Sequence, residues 1–140
     1  MSRRLGIILL ALAAVCALCA CKKAPAPTPD LTGEWRQLSD EQWYHIATIT
    51  DDKIEIWWYL PAYDRRDLYW SGSFTPPTDG TEPYEWTSVN DYTEAQLDAT
   101  YRFHRASREE TKVFTYKDGK ISYNVTAGHL RLGYSLEKVA

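Results

Sequence analysis

Cysteine is scarce in this chain and confined to one place: all three residues, Cys16, Cys19 and Cys21, fall at the start of a sequence of 140 residues. The remainder has none, so no disulfide can brace it and its stability must come from packing. It also has no internal repeat and no long stretch with helical periodicity. A glycine-rich phosphate loop is missing, which removes the nucleotide-binding arrangements built on one. The histidines His45, His104 and His129 lie far apart without a ligand spacing such as H-x-x-x-H, which argues against a metal site. Ser71 stands in Trp70-Ser71-Gly72-Ser73, mid-strand and outside any G-x-S-x-G elbow, so nucleophilic hydrolysis is not indicated. Asp51-Asp52 and Glu109-Glu110 read as turn and solvated-face charges rather than paired catalytic acids. Asp64-Arg65-Arg66-Asp67 reads as local surface ion pairs of little energetic weight. No catalytic residue, metal ligand or cofactor is therefore expected, and the chain does not read as an enzyme.

What is present begins with Leu5 to Cys21, LGIILLALAAVCALCAC, an apolar run behind Ser2-Arg3-Arg4. Two arginines hold the cytoplasmic side while the apolar segment inserts behind them. The run is short of the about 20 residues that a comfortable membrane span needs. Its end, Leu18-Cys19-Ala20-Cys21, resembles the lipobox of bacterial lipoproteins, with Leu at the third position before a cysteine and a small Ala just before it. That resemblance implies cleavage before Cys21 and a thioether-linked diacylglycerol on its sulfur, often with acylation of the new amino group. Each buried methylene would add about 0.8 kcal/mol to membrane anchoring. The expected organisation is a signal peptide over residues 1–20, a lipidated cysteine and linker over 21–30, and one folded domain over 31–140. The expected location is the cell membrane or outer membrane, lipid-anchored and facing the periplasm or the exterior.

Lys22 to Asp30, KKAPAPTPD, is a tether. Alternating proline disfavours helix and favours extended polyproline geometry at about 3.1 Å per residue, giving a reach of about 25 Å. Loss of Arg3 and Arg4 with the signal peptide takes the formal net charge from −3 to −5. A mildly acidic domain with scattered charges is a poor candidate for nucleic acid or anionic lipid.

From Leu31 on, short alternating runs broken by turn residues predict antiparallel sheet. Gly33 to Leu38 is a first strand. Trp43 to Thr50 and Lys53 to Leu60 form a hairpin around Asp51-Asp52, in which Ile49 faces Ile54, Ala47 faces Ile56 and His45 faces Trp58. Pro61 to Asp67 reads as a polar loop, and Leu68 to Phe74 returns with Leu68, Trp70, Gly72 and Phe74 on one face. Thr75 to Pro83 is a long turn and Tyr84 to Val89 another strand. For Asn90 to Glu110 the expectation is a short helical turn followed by a strand, since Thr93-Glu94-Ala95-Gln96 resembles a capping box and Leu97, Ala99, Tyr101 and Phe103 alternate with polar residues. Lys112 to Lys117 and Lys120 to Thr126 form a hairpin closed by Asp118-Gly119 in a type I′ turn, with Phe114 opposite Tyr123 and Tyr116 opposite Ile121. Leu130, Leu132, Tyr134 and Leu136 alternate along a last strand. About eight or nine strands in sequential hairpins predict an all-β fold, a small antiparallel up-and-down barrel, because closure removes the sheet edges.

Gly33-Glu34-Trp35, at the first strand of such a barrel, resembles the G-x-W motif of lipocalins and related calycins. In that family the Trp plugs one end of the barrel and an Arg near the last strand stacks over it; Arg131 is the arginine of the last strand here. Asn90-Asp91-Tyr92 is similar to part of a second lipocalin motif. The segments ATITDDKIEIWW, LYWSGSF and FTYKDGKISYNV also resemble a group of small bacterial lipoproteins of undescribed function.

The most informative feature is aromatic density, since all six Trp and ten Tyr lie beyond the linker. Most should fill a small core. Tyr44, Ile46, Trp57, Tyr59 and Tyr69, however, are expected on the face opposite Ile54, Ile56, Trp58 and Trp70. With Pro61 to Asp67 as the loop, Tyr59 falls opposite Tyr69 and Trp58 opposite Trp70. Trp57, Tyr59, Tyr69 and Tyr44 then form an outer ridge, and exposed contiguous rings mark binding surfaces. The sequence is therefore read as a monomeric, membrane-anchored, non-enzymatic binding module for an envelope protein or polymer. The alternative, which the lipocalin resemblance suggests, is a carrier of a small apolar ligand inside the barrel. Trp58, Trp70, Phe74 and Tyr123 would occupy much of that interior, which favours the first reading.

Overall fold

The computed structural model describes residues 24–39, 41–93 and 106–140. Among these residues eight antiparallel strands follow one another around a closed barrel: β1 (Gly33–Gln37), β2 (Tyr44–Ile49), β3 (Lys53–Leu60), β4 (Arg65–Ser73), β5 (Tyr84–Asn90), β6 (Thr111–Lys117), β7 (Lys120–Ala127) and β8 (Leu130–Lys138). The barrel closes where Trp35, Arg36 and Gln37 of β1 pair with Lys138, Glu137 and Leu136 of β8. No helix among the described residues is long and apolar enough to cross a membrane. The expected helical turn and strand within Asn90–Glu110 fall largely on residues 94–105, outside the described residues.

Two hairpins follow from their turns. Ile49 pairs with Ile54, Ala47 with Ile56 and His45 with Trp58. Phe114 pairs with Tyr123 and Tyr116 with Ile121. Asp118 and Gly119 have φ of 51° and 77°, the two positive values a type I′ turn requires.

The β3–β4 hairpin departs from expectation. Its connection is a single 3₁₀ turn, Pro61–Tyr63, followed by Asp64, so β4 begins at Arg65. Trp58 therefore pairs with Asp67 and Tyr59 with Arg66, not with Trp70 and Tyr69, and the register slips by one between Ile56 and Trp57. The extra residue is a β-bulge, and it breaks the strict alternation of a strand. As a result two consecutive large rings, Tyr69 and Trp70, are both buried.

The next seam, β4–β5, is the thinnest. Only Gly72–Asn90 and Ser73–Val89 pair there. A Cβ on Gly72 would lie 2.4 Å from Ser88 Oγ and 2.6 Å from the Val89 carbonyl oxygen, so only glycine admits this approach. Beyond β5 the chain keeps touching β4 irregularly: Asp91 N–H donates to Ser71 O and Ser107 N–H to Tyr69 O, at 3.1 and 2.8 Å.

The barrel has two distinct ends. At the entry pole lie the start of β1, the turns at Asp51-Asp52 and Asp118-Gly119, and the end of β8. Here Leu31, Trp35, Ile49, Ile54, Ile121 and Leu136 pack as an apolar plug. Trp35 Nε1 donates to Leu31 O at 2.8 Å, and its ring meets Tyr116 edge-on at 6.4 Å. The tether is fastened at this pole, where Lys138 Nζ donates to Asp30 O at 2.8 Å and the Ala26 backbone lies directly against Gly80. Arg131 does not stack over Trp35. It sits at the start of β8, opposite Thr126, at the other end of the barrel. That far pole collects residues 38–43, the Pro61–Tyr63 turn, the chain between Asn90 and Thr111, and the β7–β8 turn.

Candidate functional site

The residues expected to form one outer ridge are divided by the bulge. Tyr44, Trp57 and Tyr59 do lie on the outer face of β2 and β3, but Tyr69 turns into the barrel. Its ring stacks on His45 at 5.0 Å and on Tyr123 at 6.5 Å. Tyr44, though outward, is 8% exposed. The Arg36 guanidinium covers its ring at 4.3 Å and Tyr59 meets it edge-on at 5.5 Å. Trp57 and Tyr59 stay half-buried. Tyr59 Oη donates to Asp64 Oδ1 at 3.0 Å, and Arg66 stands 5.8 Å from its ring. The surface that remains is an alternation of arginine and aromatic groups, Arg36–Tyr44–Tyr59–Arg66, bordered by Trp57. Cys21 lies outside the described residues.

Large apolar side chains are exposed mainly at the far pole. Leu38, Trp43, Tyr63, Leu130 and Leu132 are all at least one-third exposed there, Tyr63 reaching 79%. Trp43 packs edge-on against Trp58 at 4.8 Å and so links this surface to the interior.

The interior beneath the far pole is polar and aromatic. His45 is fully buried. Its ring contacts Trp58 at 3.7 Å, Tyr134 at 4.6 Å and Tyr123 at 5.7 Å. Nδ1 is hydrogen-bonded to Tyr123 Oη, while Nε2 is buried without a partner. Burial, and then the charge of Lys112, lower the His45 pKa to about 3, so the ring is neutral at ordinary pH. Burial pushes the Tyr123 phenol well above its usual value, with Tyr69 and Tyr134 adding to it. Burial and then Glu109 raise Tyr69 likewise.

Lys112 is another buried polar residue of this region. It follows the inward phase of Phe114 along β6. Its ammonium bonds to Glu109 Oε2 and donates to Asn124 O at 3.1 Å. It also lies 5.2 and 5.4 Å from the Tyr69 and Trp70 rings. Sequence reasoning missed it, although strict alternation from Phe114 would have placed it inside. Ser71 is buried, but its Oγ donates to Asp91 Oδ1 at 2.5 Å rather than to a histidine. Asn90, Asp91 and Tyr92 tie the start of the β5–β6 connection to Glu109, Ser71 and Tyr69. No group of three potential metal ligands occurs among the described residues. Comparison of the chain with protein-family models, with curated proteins and with solved structures finds no match.

Proposed function

We propose that this chain is a lipid-anchored, extracytoplasmic binding module, held in the membrane through Cys21, that contacts a protein partner of the cell envelope. The observation that carries the reading is polarity along the barrel axis. The tether is clamped at the entry pole by Lys138 and Asp30. The exposed apolar residues Leu38, Trp43, Tyr63, Leu130 and Leu132 gather at the opposite pole. An exposed apolar patch on a soluble face marks a contact surface. Here that surface points away from the side to which the lipid would draw the chain. The adjoining arginine–aromatic alternation on β1–β4 has the composition of protein interface cores, which are enriched in Tyr, Trp and Arg.

The carrier reading has less support, because Trp58, Trp70, Phe74 and Tyr123 are buried within the barrel and leave their own rings where an apolar ligand would sit. The two separate by experiment. A photo-crosslinking amino acid placed at Tyr63 or Trp43, in cells making the full chain, should yield a discrete, protease-sensitive adduct. The same probe at Val139, on the entry pole, should not. An adduct sensitive only to glycan hydrolases would point to a polymer. Equal labelling from both poles, or a small apolar molecule retained in native mass spectrometry, would overturn the protein-partner reading.

A further inference from the structure

We infer that Tyr123 and His45 form a redox-active pair: Tyr123 surrenders an electron to a one-electron oxidant acting through Trp43 and Trp58, while its phenol proton passes to His45 Nδ1.

The hydrogen bond sets the starting state. Tyr123 Oη and His45 Nδ1 are each other's partners. If Nδ1 carried the ring proton, both the phenol proton and the Nε2 lone pair would be buried unpaired. If Nε2 carries it, only the Nε2 proton is unpaired. The second arrangement leaves fewer orphans and is favoured, since each buried unpaired group is costly. Tyr123 O–H therefore donates to Nδ1. The acceptor nitrogen is unprotonated, because burial keeps the imidazole neutral; the same burial opposes the imidazolium, so the proton moves only because the oxidised phenol is a far stronger acid than the neutral one. The neighbouring phenols have weaker acceptors: the half-buried Tyr92 donates its Oη proton to a backbone carbonyl, that of Tyr69, and Tyr69 is placed beside the Ser107 hydroxyl.

The rings supply a path. Trp43 is 38% exposed and meets Trp58 at 4.8 Å. From Trp58 the separations are 5.8 Å to Tyr69 and 5.9 Å to Tyr134. Tyr123 lies 6.5 Å from the first and 6.0 Å from the second. An oxidant such as a photogenerated trivalent metal complex, or an oxidising radical outside the cytoplasm, removes one electron from Trp43. That vacancy is filled from Trp58, which is refilled from Tyr123 across Tyr69 or Tyr134. Breaking the Tyr123 O–H bond leaves a neutral phenoxyl radical and a proton on Nδ1, so His45 becomes an imidazolium with both nitrogens protonated. Burial opposes this cation first and Lys112 second; Glu109, the other charged group nearby, already neutralises Lys112. Tyr69 and Tyr134 stack against the ring and are uncharged.

The test is flash oxidation of the full chain with trivalent tris(bipyridyl)ruthenium, followed by freeze-trapping and electron paramagnetic resonance. A long-lived signal that narrows when tyrosine is ring-deuterated, and that forms more slowly in heavy water, is expected. Tyr123→Phe removes one hydroxyl and should abolish it; Trp43→Phe should slow its appearance. Nitrogen-labelled histidine in the unsubstituted protein gives a readout independent of variant folding, since the radical should couple to an imidazole nitrogen. A tyrosyl signal of unchanged yield and lifetime in Tyr123→Phe would overturn the assignment. So would a signal insensitive to tyrosine deuteration, or one without histidine coupling.

Discussion

Trp57 and Trp58 stand side by side in β3, and the strand turns them to opposite faces. Trp58 is 8% exposed and touches Trp43, His45, Tyr69 and Tyr134. Trp58→Ala should cost about 3–5 kcal/mol of folding free energy. Trp57 is half-buried on the outer face, so Trp57→Ala should cost about 1 kcal/mol while weakening partner capture. Urea denaturation of the two variants decides; equal losses would make Trp57 a core residue. His45 gives a pH dependence of definite sign. Its pKa falls from 6.5 to about 3 on folding, so the unfolded chain binds the proton first. The stabilisation is complete above 6.5 and is lost as pH falls toward 3, at about 1.4 kcal/mol per pH unit within that window. A His45→Phe variant should lack this slope in denaturation series taken from neutral pH downward.

At the scale of elements, turns and seams differ in how they report themselves. Gly119 has φ of 77° and open space around it. Gly119→Val should cost about 1–3 kcal/mol through backbone strain alone, seen as a lowered melting temperature. Gly72→Ala acts by crowding, since its Cβ would press on Ser88 and Val89. A loss of about 1–3 kcal/mol is expected, with amide exchange accelerating first at Ser73 and Val89. The two-residue turns were legible in the sequence because loop length fixes register, and Phe114–Tyr123 and Ile49–Ile54 followed from it. The β3–β4 register was not. A bulge leaves no composition signal, and Leu68-Tyr69-Trp70 offers three large residues of which any alternating pair could face inward. That single slip moved Tyr69 from the expected ridge to the interior. Lys112 was hidden for another reason: a charged side chain is read as exposed until its surroundings are known, and although Glu109 is only three residues away, the Tyr69 and Trp70 rings beside its ammonium come from a strand remote in sequence.

For the whole molecule, closure was legible from strand count and sequential hairpins, and the aromatic content foretold the filled interior. The polarity of the barrel was not, because it depends on which loops share an end. Cys21→Ser should abolish the lipid mass and release the protein from membranes after carbonate washing; unchanged retention would exclude lipidation as the anchor. The clasp between Lys138 and Asp30 has a mechanical consequence. If the lipid pulls at the tether while a partner holds the far pole, tension enters along β1 and not across it. β1 is flanked on both sides, by β2 and by β8, and antiparallel ladder bonds run perpendicular to the strand. The load is then a shear shared by many bonds at once rather than a peel that breaks them in turn. A barrel suspended in this way can transmit force between membrane and partner without opening at its weakest seam, β4–β5, which lies off the line of pull.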